Sequence, residues 1–211
     1  MKEYSYNDLE EGLDCYDPAK RVFPRIETSV SSGEELNKRD VLLILRWKLD
    51  RLKDKNSETV ADANVEKINE AVRDARKTDR KIDVLKALTN LPGIGLATAT
   101  AILTACYPKE FTIIDWRVLG ILELFPSSMP GAKQEGKDYS TNDWTAESYI
   151  GEYLPRVKKC AERWGRTLRD TDRVLWGLSV SQRIEELIES SKETPSAAPA
   201  TSAGAFPPHK G

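Results

Sequence analysis

The sequence holds a single histidine, His209, three residues from its end, with only two methionines and three cysteines in 211 residues. With no second imidazole, histidine acid–base chemistry, a serine or cysteine triad and a histidine metal site are all but excluded. Cys15, Cys106 and Cys160 stand far apart and make no CxxC, and there is no fourth cysteine for an iron–sulfur or zinc cluster. Reduced, buried thiols in a cytosolic protein are the plain expectation. No apolar run approaches the length of a membrane span, and the acidic, polar start MKEYSYNDLEEG is no signal peptide. Strand-period alternation is missing along the whole chain, which leaves an all-α fold. Nor is there a bulk positive field, since 32 Lys and Arg face 34 Asp and Glu for a net charge of −2.

What is present is a core and an uneven charge distribution. The 39% of hydrophobic residues include five Trp, seven Tyr and four Phe, enough for one ordinary domain or a domain of two lobes. Residues 1–17 carry one Lys against six acids, whereas Arg73–Lys86 carries six basic and three acidic residues, and Leu154–Arg173 seven and three. Two local basic segments on an acidic chain fit a bounded nucleic-acid footprint, and they equally fit solvated helix faces.

Along the chain, residues 1–39 read as an irregular arm whose Tyr4, Tyr6, Tyr16 and Phe23 lie against the body. Helices are expected at Val41–Leu52, Ala61–Lys77, Arg80–Leu88, Thr98–Ala105, Trp116–Phe125, Asn142–Trp164 (split or kinked by Pro155) and Arg169–Val180, the last extending toward Ile188. Pro126–Thr141 is a loop, and Ser190 onward is Pro/Ala/Ser-rich and expected to be disordered. The organisation is thus an arm (1–39), a helical domain (40–189) and a tail (190–211).

The chain is centred on Leu91-Pro92-Gly93-Ile94-Gly95, a short turn between two helical patterns. Two glycines two apart permit backbone conformations that a Cβ would hinder. The following helix begins at or just after Gly95 with its first N–H groups unpaired, and such an end binds anions, of which a nucleic-acid phosphate is the commonest offered to a hairpin. About twenty residues on, the apolar pair Ile113-Ile114 ends in a carboxylate, Asp115. A dinucleotide fingerprint is rejected because the preceding pattern is helical and Thr98 occupies the third small position; no Lys-Ser/Thr follows the glycines, so a P-loop fails too.

Leu91-Pro92-Gly93-Ile94-Gly95, then Thr98-Ala99, then Ile114-Asp115, resembles the helix–hairpin–helix and Gly/Pro…Asp motif of the helix–hairpin–helix DNA glycosylase superfamily. The likeness covers about Leu85–Leu124. It implies a helical domain of that kind, with two lobes and a cleft between them. It further implies that backbone N–H groups of Gly93, Gly95 and Ala97 meet a DNA phosphate. The carbonyls of Thr89, Leu91 and Ile94 would hold a monovalent cation, Na⁺ or K⁺, bridging to the DNA; no other cofactor is implied. Asp115 would be the catalytic carboxylate facing the sugar of a flipped nucleotide, where it stabilises oxocarbenium character or orients water. Taken alone, Asp115 is equally a helix N-cap, a role compatible with catalysis.

Departures from the motif narrow the expectation. Bifunctional members carry a Schiff-base lysine where this chain has Ala97, and alanine forms no imine, so a monofunctional glycosylase without lyase activity is expected. After the aspartate stands Trp116-Arg117-Val118 rather than the Thr/Ser-His-Val of many members. Arg117 has three readings, pairing with Asp115 (preferred), contacting a phosphate, or holding Asp170 or Asp172. Trp47, Trp116, Trp144 and Trp176 are base-pocket candidates, although tryptophan at helical spacing is more usually core; Lys133 and Lys137 are loop contacts to DNA or to water. The charges of Leu168–Trp176 alternate as an internal salt-bridge lattice does.

The expected substrate is a damaged base, or a base modified by design such as an altered phage cytosine, which would make the protein an antiphage defence enzyme. The expected setting is a monomer on DNA, in the cytoplasm at the nucleoid, without a membrane. The alternatives are a non-catalytic hairpin DNA-binding protein and an αα-hairpin module for protein interaction.

Overall fold

A computed structural model describes residues 19–48, 55–124 and 140–193, and these are all-helical without a strand among them. In chain order the helices are α1 (Ala19–Ser31), α2 (Lys38–Lys48), α3 (Lys55–Lys77), α4 (Lys81–Thr89), α5 (Leu96–Cys106), α6 (Trp116–Leu122), a single turn α7 (Ala146–Ser148), α8 (Leu154–Trp164) and α9 (Leu168–Glu193). Among the described residues no helix is long and apolar enough to cross a membrane. The acidic first seventeen residues, the loop with Lys133 and Lys137, and residues 194–211 lie outside the described residues.

The helix α5 is the axis of the molecule. Every residue from Thr98 to Cys106 is buried, and α1, α2 and α4 all pack on it. A helix apolar on all sides has no solvent face and must be surrounded. Alanines at 99, 101 and 105 let the neighbours approach, and the threonines satisfy themselves locally: Thr104 Oγ1 donates to Thr100 O at 2.7 Å and Thr100 Oγ1 to Ala97 O at 3.0 Å. Around this axis the core gathers Ile26, Ile44, Leu45, Ile68, Leu85, Leu88, Ile102 and Leu103, each almost fully buried.

Three expectations change. The stretch before residue 40 is not simply an irregular arm: α1 runs through Pro24 and buries Phe23, Ile26 and Val30 at i, i+3 and i+7, one apolar stripe facing α5. Arg25 on its other side reaches Asp40 at the start of α2, 2.5 Å away. The helix expected over Asn142–Trp164 begins later, at Ala146, where Thr145 and Ser148 form a capping box. It then widens into a π turn at Tyr149–Tyr153 before Pro155. Proline supplies no N–H to the carbonyl four residues back and its ring crowds that carbonyl, so a wider turn there is the accommodation. At the other end α9 continues to Glu193, past the expected onset of the tail.

Candidate functional site

The hairpin joins α4 to α5. Gly93 sits at φ +77°, and a Cβ built on it would come within 2.6 Å of a Val60 methyl, so both backbone and packing require glycine there. Asn64 on α3 holds the turn by donating to Pro92 O at 3.1 Å. Gly95 differs from the expectation for it. Its φ of −84° and ψ of 174° are ordinary extended values, and a Cβ there meets nothing within 4 Å. Its conformation therefore does not call for glycine; what glycine preserves is open space in front of α5. No side chain caps that end, and Thr98 is the first residue of α5 whose N–H finds the carbonyl of Gly95, at 3.0 Å. Gly93 and Gly95 are exposed and Ala97 half-buried, so this end of α5 faces solvent.

Asp115 follows a short extended segment that four side chains from three parts of the fold grip in succession. Tyr149 OH donates to Thr112 O at 2.6 Å and accepts from Thr112 N at 3.1 Å. Tyr153 OH donates to Ile113 O at 2.6 Å. Ile114 N donates to Thr100 Oγ1 of α5 at 3.2 Å, and Lys48 Nζ of α2 donates to Ile114 O at 3.3 Å. Both tyrosines are fully buried, and burial raises their hydroxyl pKa values far above the ordinary range, so they act as fixed donors.

Asp115 itself is the N-cap of α6, its Oδ1 accepting from Arg117 N at 3.0 Å. Its Oδ2 takes the Lys48 ammonium at 2.8 Å, with the two side chains 14% and 9% exposed. The pair is mostly withdrawn from water, so neither partner can be removed without leaving a charge short of solvent. The Arg117 guanidinium lies 3.7 Å from Oδ1, in line with the preferred reading of that arginine. It does not bind Asp170 or Asp172, which pair with Arg173 at 3.1 Å and Arg169 at 2.5 Å, forming the lattice that the alternating charges indicate. Asp172 is fully buried behind this site. Burial raises its pKa, while Arg169 and then Lys48 oppose the rise and Asp115 adds to it. Lys48, Asp115, Asp172 and Arg169 thus form one buried charge cluster joining α2, α6 and α9.

The tryptophan candidates separate. Trp116 is 45% exposed beside Asp115, with the Arg117 guanidinium 4.4 Å from its ring centre and 5.6 Å from that of Trp176. Trp47 is half-buried, packed edge-on against Phe23 at 4.8 Å, with Arg169 5.8 Å from its ring. Trp144 belongs to the core, edge-on to Tyr153 at 6.0 Å. The basic segment Arg73–Lys86 resolves into paired side chains: Arg73 with Glu35, Arg80 with Asp83, Lys81 with Glu110 and Lys86 with Glu147. On α8, Arg156, Lys158, Lys159 and Arg163 are all exposed.

Sequence reasoning missed Lys48. A lysine one position beyond the apolar run VLLIL and Arg46-Trp47 was the available signal; its partner, 67 residues away, was not. Tyr149 and Tyr153, four apart on one helical face, carried a similar signal. No family model, curated protein or solved structure matches this chain, so the site stands on its own geometry.

Proposed function

We propose that the protein is a monofunctional DNA glycosylase of the helix–hairpin–helix kind, acting on a damaged or modified base. The observation that carries this reading is the hydrogen bond from Ile114 N to Thr100 Oγ1. It ties the carboxylate-bearing segment to the same helix whose open N-terminus forms the hairpin. Gly95 to Thr100 spans roughly 7 Å of helix rise. A phosphate on the N–H groups of Gly95 and Ala97 would therefore hold a neighbouring nucleotide at a fixed distance from Asp115.

In this reading the extruded nucleotide presents C1′ to Asp115. The N-glycosidic bond breaks with its electron pair leaving on the base. Positive character on the sugar is met by the carboxylate, and a water oxygen bonds C1′ while its proton passes to the departing base through solvent. Lys48 and the Arg117 N–H hold the carboxylate in one orientation, which spares reorganisation at the moment of reaction. Ala97 offers no amine, so the product is an abasic site with the strand intact. The carbonyls of Thr89, Leu91 and Ile94 would hold a monovalent cation at the hairpin. They are neutral oxygens, a donor set suited to such an ion, and Leu91 O spends one lone pair on Ile94 N at 3.1 Å, leaving the other. A cation there would add charge for the phosphate.

A non-catalytic DNA-binding protein is the second reading. It is favoured by the double engagement of Asp115, one oxygen capping α6 and the other on Lys48. Alkali-dependent strand cleavage separates the two. Cellular and phage DNA, including DNA with modified cytosines, is incubated with wild type and Asp115→Asn and then treated with alkali. Nicks that need alkali and vanish in the variant support the glycosylase and identify its substrate class. Intact DNA with undiminished binding by both proteins supports the second reading.

A further inference from the structure

Trp116 is out of keeping with its helix. Val118, Leu119, Ile121 and Leu122 of α6 are buried, whereas the indole at the first position is left 45% exposed. A single exposed aromatic ring is unremarkable by itself. What distinguishes this one is its setting. The guanidinium of Arg117 lies over the Trp116 ring at 4.4 Å and near the Trp176 ring at 5.6 Å, with the Asp115 carboxylate 3.7 Å from its nitrogen. The guanidinium is thus engaged by two rings and a carboxylate, and it backs the indole. It occupies one face of that ring, so the exposed area lies on the remainder.

We infer that Trp116 and Arg117 form a stacking platform for an unpaired nucleobase of DNA beside Asp115. Any base offers a π face to an indole or guanidinium plane, and such stacking is independent of sequence. The chemistry of the rim selects this partner over an apolar peptide. The Arg117 guanidinium lies against the ring and the Asp115 carboxylate lies next to that guanidinium, so the indole has a charged border. A single flat ring with a charged border suits a base whose own phosphate lies in water. A platform held by Trp176 and Asp115 also loses little freedom when a base settles on it. The inference rests on the DNA-binding part of the proposed function and not on bond cleavage.

The full chain is titrated into a single-stranded oligonucleotide containing 2-aminopurine, and into a duplex with one unpaired 2-aminopurine. Stacking on the indole should quench the probe. Trp116→Leu and Trp116→Gln should each weaken binding about tenfold and abolish the quench, whereas Trp116→Phe should retain both to within about threefold. Thermal melting of each variant verifies folding, and two unlike replacements prevent one misfolded protein from deciding the result. Unchanged affinity and quench in both non-aromatic variants would overturn the inference, as would a wild type that binds neither oligonucleotide. If abasic sites form but Trp116 is dispensable, the platform is wrong and the glycosylase stands. If Trp116-dependent quenching occurs without abasic sites, the platform stands and the glycosylase falls.

Discussion

At the scale of residues, Lys48 is the side chain on which the site turns. Its ammonium bonds both Asp115 Oδ2 and Ile114 O from a position only 9% exposed. Lys48→Met keeps the aliphatic stem and removes both bonds, leaving a carboxylate largely out of water with half its partners. The expected cost is about 1–3 kcal/mol of stability, measured by urea unfolding. Base excision should fall about a hundredfold, because a carboxylate free to reorient loses its alignment with the reacting carbon. Full activity in the Met variant would remove Lys48 from the site. The two hairpin glycines make a contrasting pair. Gly93→Ala combines a positive φ with a clash against Val60 and should destabilise by about 2–3 kcal/mol. Gly95→Ser has room, and its hydroxyl can cap α5, so stability should rise by a few tenths of a kcal/mol. The same hydroxyl competes with phosphate for the N–H groups, so DNA affinity should drop. A Gly95→Ser protein that binds DNA as wild type does would mean that this helix end is not the phosphate site.

At the scale of elements, α9 carries a pH-dependent term. Asp172 lies in its first turns, buried against Arg169 and facing Lys48 and Asp115, and burial raises its pKa above the ordinary 3.8. The native state therefore keeps this proton to higher pH than the unfolded chain does. The stability it brings is complete below about pH 3.8 and is lost as pH rises through the raised native value. Subtracting the stability of Asp172→Asn from that of wild type, by urea midpoints at a series of pH values, should give a difference that declines as pH rises across that interval. A flat difference would show that Asp172 does not titrate there. The elements differ in how legible they are in sequence. The helix α5 and its hairpin could be read because Ala, Thr and Gly spacing is local. The disturbance at Pro155 was legible for the same reason. The helix α1 was obscured by Pro24, which argues against a helix until its apolar stripe finds α5. The grip on residues 112–115 by Tyr149, Tyr153, Thr100 and Lys48 was not legible, since it joins α2, α5 and the π turn across 14 to 66 residues of sequence. Asp115 itself was visible as a carboxylate after an apolar run; the ammonium that holds it was not.

At the scale of the whole molecule, charge decides how the protein would meet DNA. The net charge is −2, and four of the six basic residues between Arg73 and Lys86 are already paired with acids. The candidates for phosphate contacts are local: the open end of α5 and the exposed Arg156, Lys158 and Lys159 of α8. Such a footprint supports about three or four phosphate contacts, far fewer than a protein coated in lysine. The logarithm of affinity should then fall with the logarithm of salt at a slope of about −3, so a rise from roughly 50 to 200 mM costs about sixtyfold. Fluorescence anisotropy on a labelled duplex measures this. Replacing Arg156 and Lys159 together with Ala should flatten the slope by up to about two if α8 lies along the backbone, with equal losses on unrelated sequences. A slope near zero would exclude phosphate contacts altogether and return the basic segments to solvated helix faces. A slope of −3 that is untouched by the α8 variant would place the contacts at the open end of α5 instead, where Gly95→Ser should then reduce it.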